Sequence, residues 1–189
     1  MFMFILNSVL LGVGLAMDAF SVSLANGLND IRMNRKKMNQ IAGTFAAFQF
    51  LMPMIGWLCV HTIVTIFQRF ETYIPWIALL LLAYIGGKMV WEGIHSKEEG
   101  KASGTVLTNQ ELLLQGIATS IDALSVGFTI SDYSVSGAFL SSLIIAAVTY
   151  VICVAGVRIG KKAGTKLSGK ASILGGIILI IIGIEIFIG

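Results

Sequence analysis

Two aspartates, Asp18 and Asp122, lie inside long apolar runs of the sequence. An aspartate at the centre of a membrane span costs about 2.5–3.5 kcal/mol even on lenient insertion scales, and such residues mark ion or proton pathways by default. The same pattern follows both, because Asp18 begins Asp-Ala-Phe-Ser-Val and Asp122 begins Asp-Ala-Leu-Ser-Val. Two carboxylates with neutral oxygens suit a hard divalent cation such as magnesium, calcium or manganese. The pair predicts such a site; the alternative is a protonated aspartate that bonds between helices.

A serine follows each aspartate by three residues, namely Ser21 after Asp18 and Ser125 after Asp122. Residues three apart lie on one face of a helix, so each hydroxyl is expected beside its carboxylate. We expect both serines to supply neutral oxygen ligands. The alternative is a hydrogen bond from each hydroxyl to a carbonyl of its own helix.

Another apolar run contributes Gln49, with Met52 and Pro53 about one turn later. Proline has no N–H, so Pro53 leaves a backbone carbonyl without its helical donor and free to act as a ligand. A sulfur ligand from Met17 or Met52 would favour a transition metal over magnesium or calcium. The predicted metal ligands are Asp18, Asp122, Gln49, Ser21 and Ser125, with the two aspartates the principal ones.

The composition indicates that these residues belong to a membrane protein. Of the 189 residues, 56% are hydrophobic and 12% are charged, with a mean hydropathy of +0.88, whereas soluble domains carry about 25% charged residues. Residues 38–68 and 133–157 contain no Asp, Glu, Lys or Arg, and a span needs about 20 apolar residues. A soluble enzyme and a nucleic-acid-binding protein are therefore excluded as function classes.

Hydropathy predicts an all-α polytopic membrane protein with six transmembrane helices. Their expected bounds are Met3–Leu28, Ile41–Phe67, Tyr73–Ile94, Leu112–Ile130, Gly137–Val157 and Ala171–Ile188. Every Lys and Arg except Arg69 lies in the first, third or fifth connection or at the adjoining helix ends. Because cytoplasmic loops are enriched in Lys and Arg, that side is expected in the cytoplasm and both termini outside. The basic segments also suit contact with anionic lipid, with a regulatory ligand site as the alternative.

The two halves of the sequence repeat. Besides the two aspartate segments, Gly86-Gly87 in the third span matches Gly175-Gly176 in the sixth. Each half has three spans, an odd number, so the second half is inverted relative to the first, an arrangement typical of transporters with a site near the bilayer midplane. We expect residues 1–94 to form the first three-helix repeat, residues 95–110 a cytoplasmic linker, and residues 111–189 the second repeat.

The charge of the predicted site suggests how export would be driven. Moving a divalent cation outward against an inside-negative potential costs about 4.6 kcal/mol per 100 mV, twice the single-charge value. Two protons that replace the cation on two aspartates would leave the cycle without net charge movement. We therefore expect the cation and protons to compete for one site.

Four segments give the chain a family resemblance over its whole length. They are Gly14–Val22, Phe48–Trp57, Gly86–Gly93 and Ile117–Gly127. With them, the sequence resembles the manganese efflux pump family, MntP-like, of bacterial inner membranes. The resemblance implies six spans in inverted repeats, export of Mn²⁺ as the transported substrate, no cofactor, no enzymatic activity, and an essential role for Asp18 and Asp122.

Other functions remain open from the residues alone. The chain could export another divalent cation or a small organic solute. An intramembrane aspartyl protease also uses two buried aspartates, but its Gly-x-Gly-Asp motif is absent, since Asp18 follows Leu-Ala-Met and Asp122 follows Thr-Ser-Ile. A structural protein would tolerate Asp18→Asn, whereas a pump would not. The expected partners are Mn²⁺, protons and the lipid bilayer, with no nucleic acid; the oligomeric state is open.

Overall fold

A computed structural model describes residues 2–62, 74–95, 107–167 and 171–188. All regular secondary structure in these ranges is α-helical. The helices are α1 (Phe2–Asn29), α2 (Arg35–Thr62), α3 (Ile74–His95), α4 (Asn109–Ala118), α5 (Ile121–Thr129), α6 (Val135–Leu167) and α7 (Ala171–Ile188). Each span expected from hydropathy falls on one of these helices, except that the fourth falls on α4 and α5 together.

Four described segments are long and apolar enough to cross a membrane. They are Phe2–Asn29, Arg35–Val60, Asn109–Thr129 and Val135–Gly164. The chain is therefore an all-helical, multi-pass membrane protein. Of the expected features, residues 96–106 of the linker, the end of the second span after residue 62, and Arg69 lie outside the described residues.

Two helices extend beyond their expected bounds on the same side of the bundle. α2 begins at Arg35 instead of Ile41, and α6 continues to Leu167 instead of ending at Val157. Hydropathy marks only the part of a helix within the hydrocarbon core, which is about 30 Å thick, whereas the 33 residues of α6 extend about 50 Å at 1.5 Å per residue. The basic residues near the end of α6 also favour its continuation, because cations stabilise a helix C-terminus.

The helices pack in pairs that cross at small residues. α1 lies along α6, α2 along α4 and α5, and α3 along α7. At the α1–α6 contact, a Cβ added to Gly160 would lie 2.2 Å from the Leu24 carbonyl oxygen, and one added to Gly27 would lie 2.4 Å from the Val157 carbonyl oxygen. Such close backbone approach is possible only with glycine and is a usual form of helix packing in membranes.

The start of α4 is fixed by a local motif and by a link to α3. Thr108 caps the helix by accepting from the Glu111 N–H, and the Glu111 carboxylate accepts from the Thr108 N–H. This reciprocal arrangement is a capping box, which satisfies two otherwise unpaired donors. The other Glu111 oxygen lies 2.5 Å from Lys88 Nζ, so α3 of the first half is held to α4 of the second.

Candidate functional site

The fourth span is interrupted just before Asp122. α4 ends at Ala118 and α5 begins at Ile121. At the interruption, the Thr119 hydroxyl donates to the Gln115 carbonyl at 2.8 Å, and the Ser120 hydroxyl donates to the Gly116 carbonyl at 2.6 Å. Side-chain hydroxyls that bond to the preceding turn compete with the backbone ladder. The hydroxyls of the Thr-Ser pair thus accompany the break, which leaves Asp122 in the first turn of α5.

The two aspartates are brought to one region from different halves of the chain. Asp18 is half-buried on the uninterrupted helix α1, while Asp122 is exposed, with its carboxylate accepting from the Ala123 N–H at 2.8 Å. The two carboxylates lie close enough to interact electrostatically. Directly beside them, Ala123 and Leu15 pack in one apolar cluster. Each half of the chain thus contributes one carboxylate to this region.

Gln49 joins the two halves one turn away from the aspartates. Its side chain is 1% exposed, and its Nε2 donates to the carbonyl oxygens of Leu15 at 3.2 Å and Thr119 at 3.3 Å. Leu15 and Thr119 are equivalent positions, because each lies three residues before an aspartate. Since both partners are acceptors, the amide nitrogen must face them. Oε1 then points elsewhere and has no hydrogen-bond partner.

The remaining predicted donors differ in exposure. Ser21 is half-buried on α1, and Ser125 is exposed on α5. Of the methionines considered as sulfur ligands, Met17 is 53% exposed, and Met52 packs against the apolar cluster that contains Leu15. Pro53 lies inside α2, so the backbone carbonyl of Gln49 has no helical donor four residues later.

Sequence reasoning missed Thr149 on α6. Its side chain is 0% exposed, and its hydroxyl oxygen has no hydrogen-bond partner. Thr149 lies fourteen residues after Val135, the first residue of α6, as Gln49 lies fourteen residues after Arg35, the first residue of α2. Aligning α2 with α6 from their first residues pairs Gln49 with Thr149 and could have found it.

The contacts between α1 and α6 set the depth of Thr149. A Cβ added to Gly12 would lie 3.2 Å from Val148, and one added to Gly156 would lie 2.8 Å from the Phe20 carbonyl oxygen. The two helices therefore run parallel, and Thr149 lies at the level of Leu15. This is the level at which Gln49 meets Leu15 and Thr119.

A second polar contact missed from the sequence ties α1 to α4. Asn26 Nδ2 donates to Gln115 Oε1 at 2.7 Å, and Gln115 Nε2 donates back to Asn26 Oδ1 at 3.3 Å. Both side chains are buried. Asn26 follows Asp18 by eight residues, or about 12 Å along the helix. The amide pair therefore lies beyond the aspartates, toward the basic end of the bundle.

The chemistry of this region is that of oxygen donors. The Gln49 amide oxygen and the Thr149 hydroxyl lie near the level of Leu15 and are buried without partners, and each carboxylate lies about one helical turn from the carbonyl that Gln49 holds in its own half. Within the described ranges no three His, Cys, Asp or Glu side chains cluster. Carboxylate, carbonyl and hydroxyl oxygens suit magnesium, calcium and manganese more than zinc.

Comparison with known proteins finds relatives that are named for manganese. The family model described as "Putative manganese efflux pump" matches residues 32–187. A protein of Clostridium botulinum strain Hall named "Putative manganese efflux pump MntP 2" is 42% identical, over 97% of this chain and 94% of the relative. A similarly named protein of Ruminiclostridium cellulolyticum is 41% identical, over 95% of this chain and 93% of the relative. One of Clostridium perfringens strain SM101 is 39% identical, over 98% of this chain and 95% of the relative. No solved structure matches the chain significantly.

Proposed function

The chain belongs to the manganese efflux pump family, and we propose that it exports Mn²⁺ from the cytoplasm through a mid-membrane site formed by both of its halves. Its relatives are named as efflux pumps, so it is a transport protein and not an enzyme. The proposed ligands are the carboxylates of Asp18 and Asp122 and the oxygens of Gln49, Ser21, Ser125 and Thr149. No cofactor takes part, and Mn²⁺ is the cargo.

One observation carries the proposal more than the others. Gln49 uses its amide nitrogen to hold the carbonyls of Leu15 and Thr119, and its oxygen is left buried and unpartnered. A buried polar atom without a partner costs about 1–3 kcal/mol, and a bound ion is one partner that would remove this cost. A cation between the two carboxylates would supply the missing partner and balance their charge.

The arrangement of helices supports two inverted repeats, residues 1–94 and 111–189, joined by the linker 95–110. In this arrangement α1 corresponds to α4 and α5 together, α2 corresponds to α6, and α3 corresponds to α7. When each helix is exchanged for its counterpart, the α1–α6 contact becomes the α2–α5 contact, and the α3–α7 contact stays the same. Gly56 packs on Leu124 and Gly127. In the same way, Gly156 packs on Phe20 and Ser23. Phe20 and Ser23 precede Leu124 and Gly127 by the same number of residues as Asp18 precedes Asp122. With three spans in each half, this supports a site between the repeats.

Described contacts lie on both sides of the site. On one side, about two turns beyond Asp122, the apolar cluster of Trp57, Ile130 and Ala138 joins α2, α6 and the residue that follows α5. On the other side, the Asn26–Gln115 amide pair joins α1 and α4. Export requires these two barriers to open alternately, so that Mn²⁺ enters past the amide pair and leaves past the apolar cluster.

The positive-inside rule supports an orientation with the amide pair toward the cytoplasm. Arg32, Arg35 and Arg158 lie at the same end of the bundle as Asn26. This orientation in a bacterial inner membrane places both termini outside. We infer that two protons return for each Mn²⁺, because an exchange of equal charge avoids work against the membrane potential.

The experiment is metal analysis of cells that lack their own manganese exporter. Asp18→Asn and Asp122→Asn keep side-chain size but remove a charge, so each should abolish rescue and raise cellular manganese to the level of cells without the protein. The matched control is Asp132→Asn, because Asp132 is exposed between α5 and α6. Full rescue by either site variant, with normal insertion, would overturn the site.

Two further measurements separate the alternatives. Cellular magnesium, iron, cobalt, zinc and cadmium, measured beside manganese, should stay unchanged if manganese is the principal cargo. In sealed vesicles, an imposed proton gradient should drive Mn²⁺ uptake through inverted protein. Transport that ignores the proton gradient contradicts proton exchange but leaves manganese export standing.

A further inference from the structure

A cavity of about 710 Å³ opens at the basic end of the bundle, between the α1–α2 connection and the last turns of α6. We call it the basic cavity. Its lining residues are Ile31, Arg35, Met38, Arg158, Lys161 and Lys162. The site for the cation lies about 12 Å or more away, beyond the Asn26–Gln115 pair, so the basic cavity is a separate feature.

The charge of the basic cavity predicts an anionic occupant. Four of its six lining side chains are cationic, and none of these six is acidic. Four cations around one open volume give it a positive potential, which favours an anion. Arg35 also begins α2, and the dipole of a helix adds positive potential at its N-terminus.

The lining donors are arranged by the backbone contacts beneath them. Gly27 and Gly160 bring α1 and α6 together at the floor of the cavity. Lys161 Nζ donates to the Met33 carbonyl, which holds the α1–α2 connection against α6. An ammonium group has three donors, so Lys161 can serve this carbonyl and an anion together. The planar guanidinium groups of Arg35 and Arg158 match the oxygens of a phosphate.

The position of the basic cavity favours a lipid as the source of the phosphate. Arg158 comes directly after the uncharged run 133–157, so it lies where the hydrocarbon core gives way to headgroups. The wall also includes half-buried Ile31 and, below it, the largely buried Met38, and this apolar surface suits an acyl chain better than a free inorganic ion. Basic pockets between transmembrane helices are known places for anionic headgroups.

We propose that the basic cavity binds the phosphate headgroup of an anionic membrane lipid. The lipid then bridges the α1–α2 connection and α6. It stabilises the close contact of α1 and α6 at this end of the bundle. This structural role is separate from the transport of the cation.

Lipid binding can be measured on the full chain purified in neutral detergent, by native mass spectrometry with phosphatidylglycerol, phosphatidylcholine or inorganic phosphate. Phosphatidylglycerol should bind and phosphatidylcholine should not. Because each cation near a membrane surface contributes about five-fold in affinity, the triple variant Arg158→Gln, Lys161→Gln, Lys162→Gln should lose binding on the order of 100-fold. The single variant Arg158→Gln, at an exposed side chain, should lose about five-fold.

The matched control removes the same charge from the same end of the molecule. Arg32→Gln, Lys36→Gln, Lys37→Gln changes three cations that do not line the basic cavity, and it should keep phosphatidylglycerol binding near the original value. Equal losses in both triple variants would assign the effect to net charge alone and overturn the proposal. So would equal binding of phosphatidylcholine, or displacement of the lipid by millimolar inorganic phosphate, which would make the cavity a site for a soluble anion.

Discussion

The two aspartate segments have nearly the same sequence but different backbones. α1 continues through Asp18, whereas the fourth span breaks two residues before Asp122. The difference lies in the residues just before each aspartate: Leu15 and Ala16 in the first half, Thr119 and Ser120 in the second. Only the second pair carries hydroxyls, and both bond to carbonyls of the preceding turn. One half thus supplies a continuous helix and the other an interrupted one, although both supply the same carboxylate.

The second helices differ in a matching way. At equivalent positions, α2 carries Gln49 and α6 carries Thr149. The long amide of Gln49 donates to carbonyls of both halves and leaves its own oxygen without a partner, whereas the short hydroxyl of Thr149 is buried without a partner. We interpret the two residues as having different roles: Gln49 holds the halves together, and Thr149 contributes only an oxygen.

The largest effect is expected at Gln49, after the aspartates themselves. Gln49→Leu removes the donor for two carbonyls and the proposed ligand, so export should fall at least ten-fold. Gln49→Glu keeps the oxygen but replaces the donor with an acceptor, which brings a third negative charge beside Leu15 and Thr119. We expect it to alter the proton dependence of transport in vesicles. The control is Asn39→Leu, since Asn39 is an exposed amide on the same helix. Normal export by Gln49→Leu would remove Gln49 from the site.

Exchanging the residues before each aspartate tests the broken helix directly. Thr119→Leu with Ser120→Ala gives the second half the sequence of the first, which should restore the helical ladder through Asp122. Hydrogen exchange of the amides after the break should slow, and export should fall several-fold. Leu15→Thr with Ala16→Ser is the reciprocal exchange in α1. Unchanged exchange rates in the first variant would show that tertiary contacts, rather than the two hydroxyls, cause the break.

The buried amide pair should matter more for stability than for cation affinity. Asn26→Ala leaves the Gln115 amide buried without its partner, which costs about 1–3 kcal/mol. Replacing both residues with leucine removes the unpaired group and should recover part of that loss. The measurement is thermal unfolding in detergent, compared with the Mn²⁺ dependence of export. A single variant with unaltered stability, or a double variant that is worse than the sum of both singles, would contradict this role.

The sequence was a good guide to the helices and a partial one to the site. Hydropathy located the helices, because lipid imposes a long apolar run on each span, and repetition marked Asp18 and Asp122 as candidates. The break at Thr119 was not predictable by the same means, since threonine and serine also occur in continuous helices. Gln49 was expected as a ligand, but its bridge to Leu15 depends on the packing of α2 between the two halves. Thr149 was missed because a hydroxyl in an apolar run usually bonds to its own helix.

The smallest effect on export is expected at Thr149. Substitution there also best distinguishes a role in stability from a role in Mn²⁺ binding. Thr149→Val replaces the hydroxyl with a methyl group of similar size, so packing is kept and a buried unpartnered oxygen is removed. The free energy of unfolding should therefore stay the same or rise slightly. The Mn²⁺ concentration for half-maximal export should increase about three- to ten-fold, as expected for the loss of one neutral hydrogen-bonding or ligand group of about 1 kcal/mol. Thr149→Ser, which retains the hydroxyl, should behave like the original chain. A Thr149→Val variant with lower stability and unaltered Mn²⁺ dependence would make this hydroxyl a packing element and would leave Gln49 as the one neutral donor contributed by the second helices.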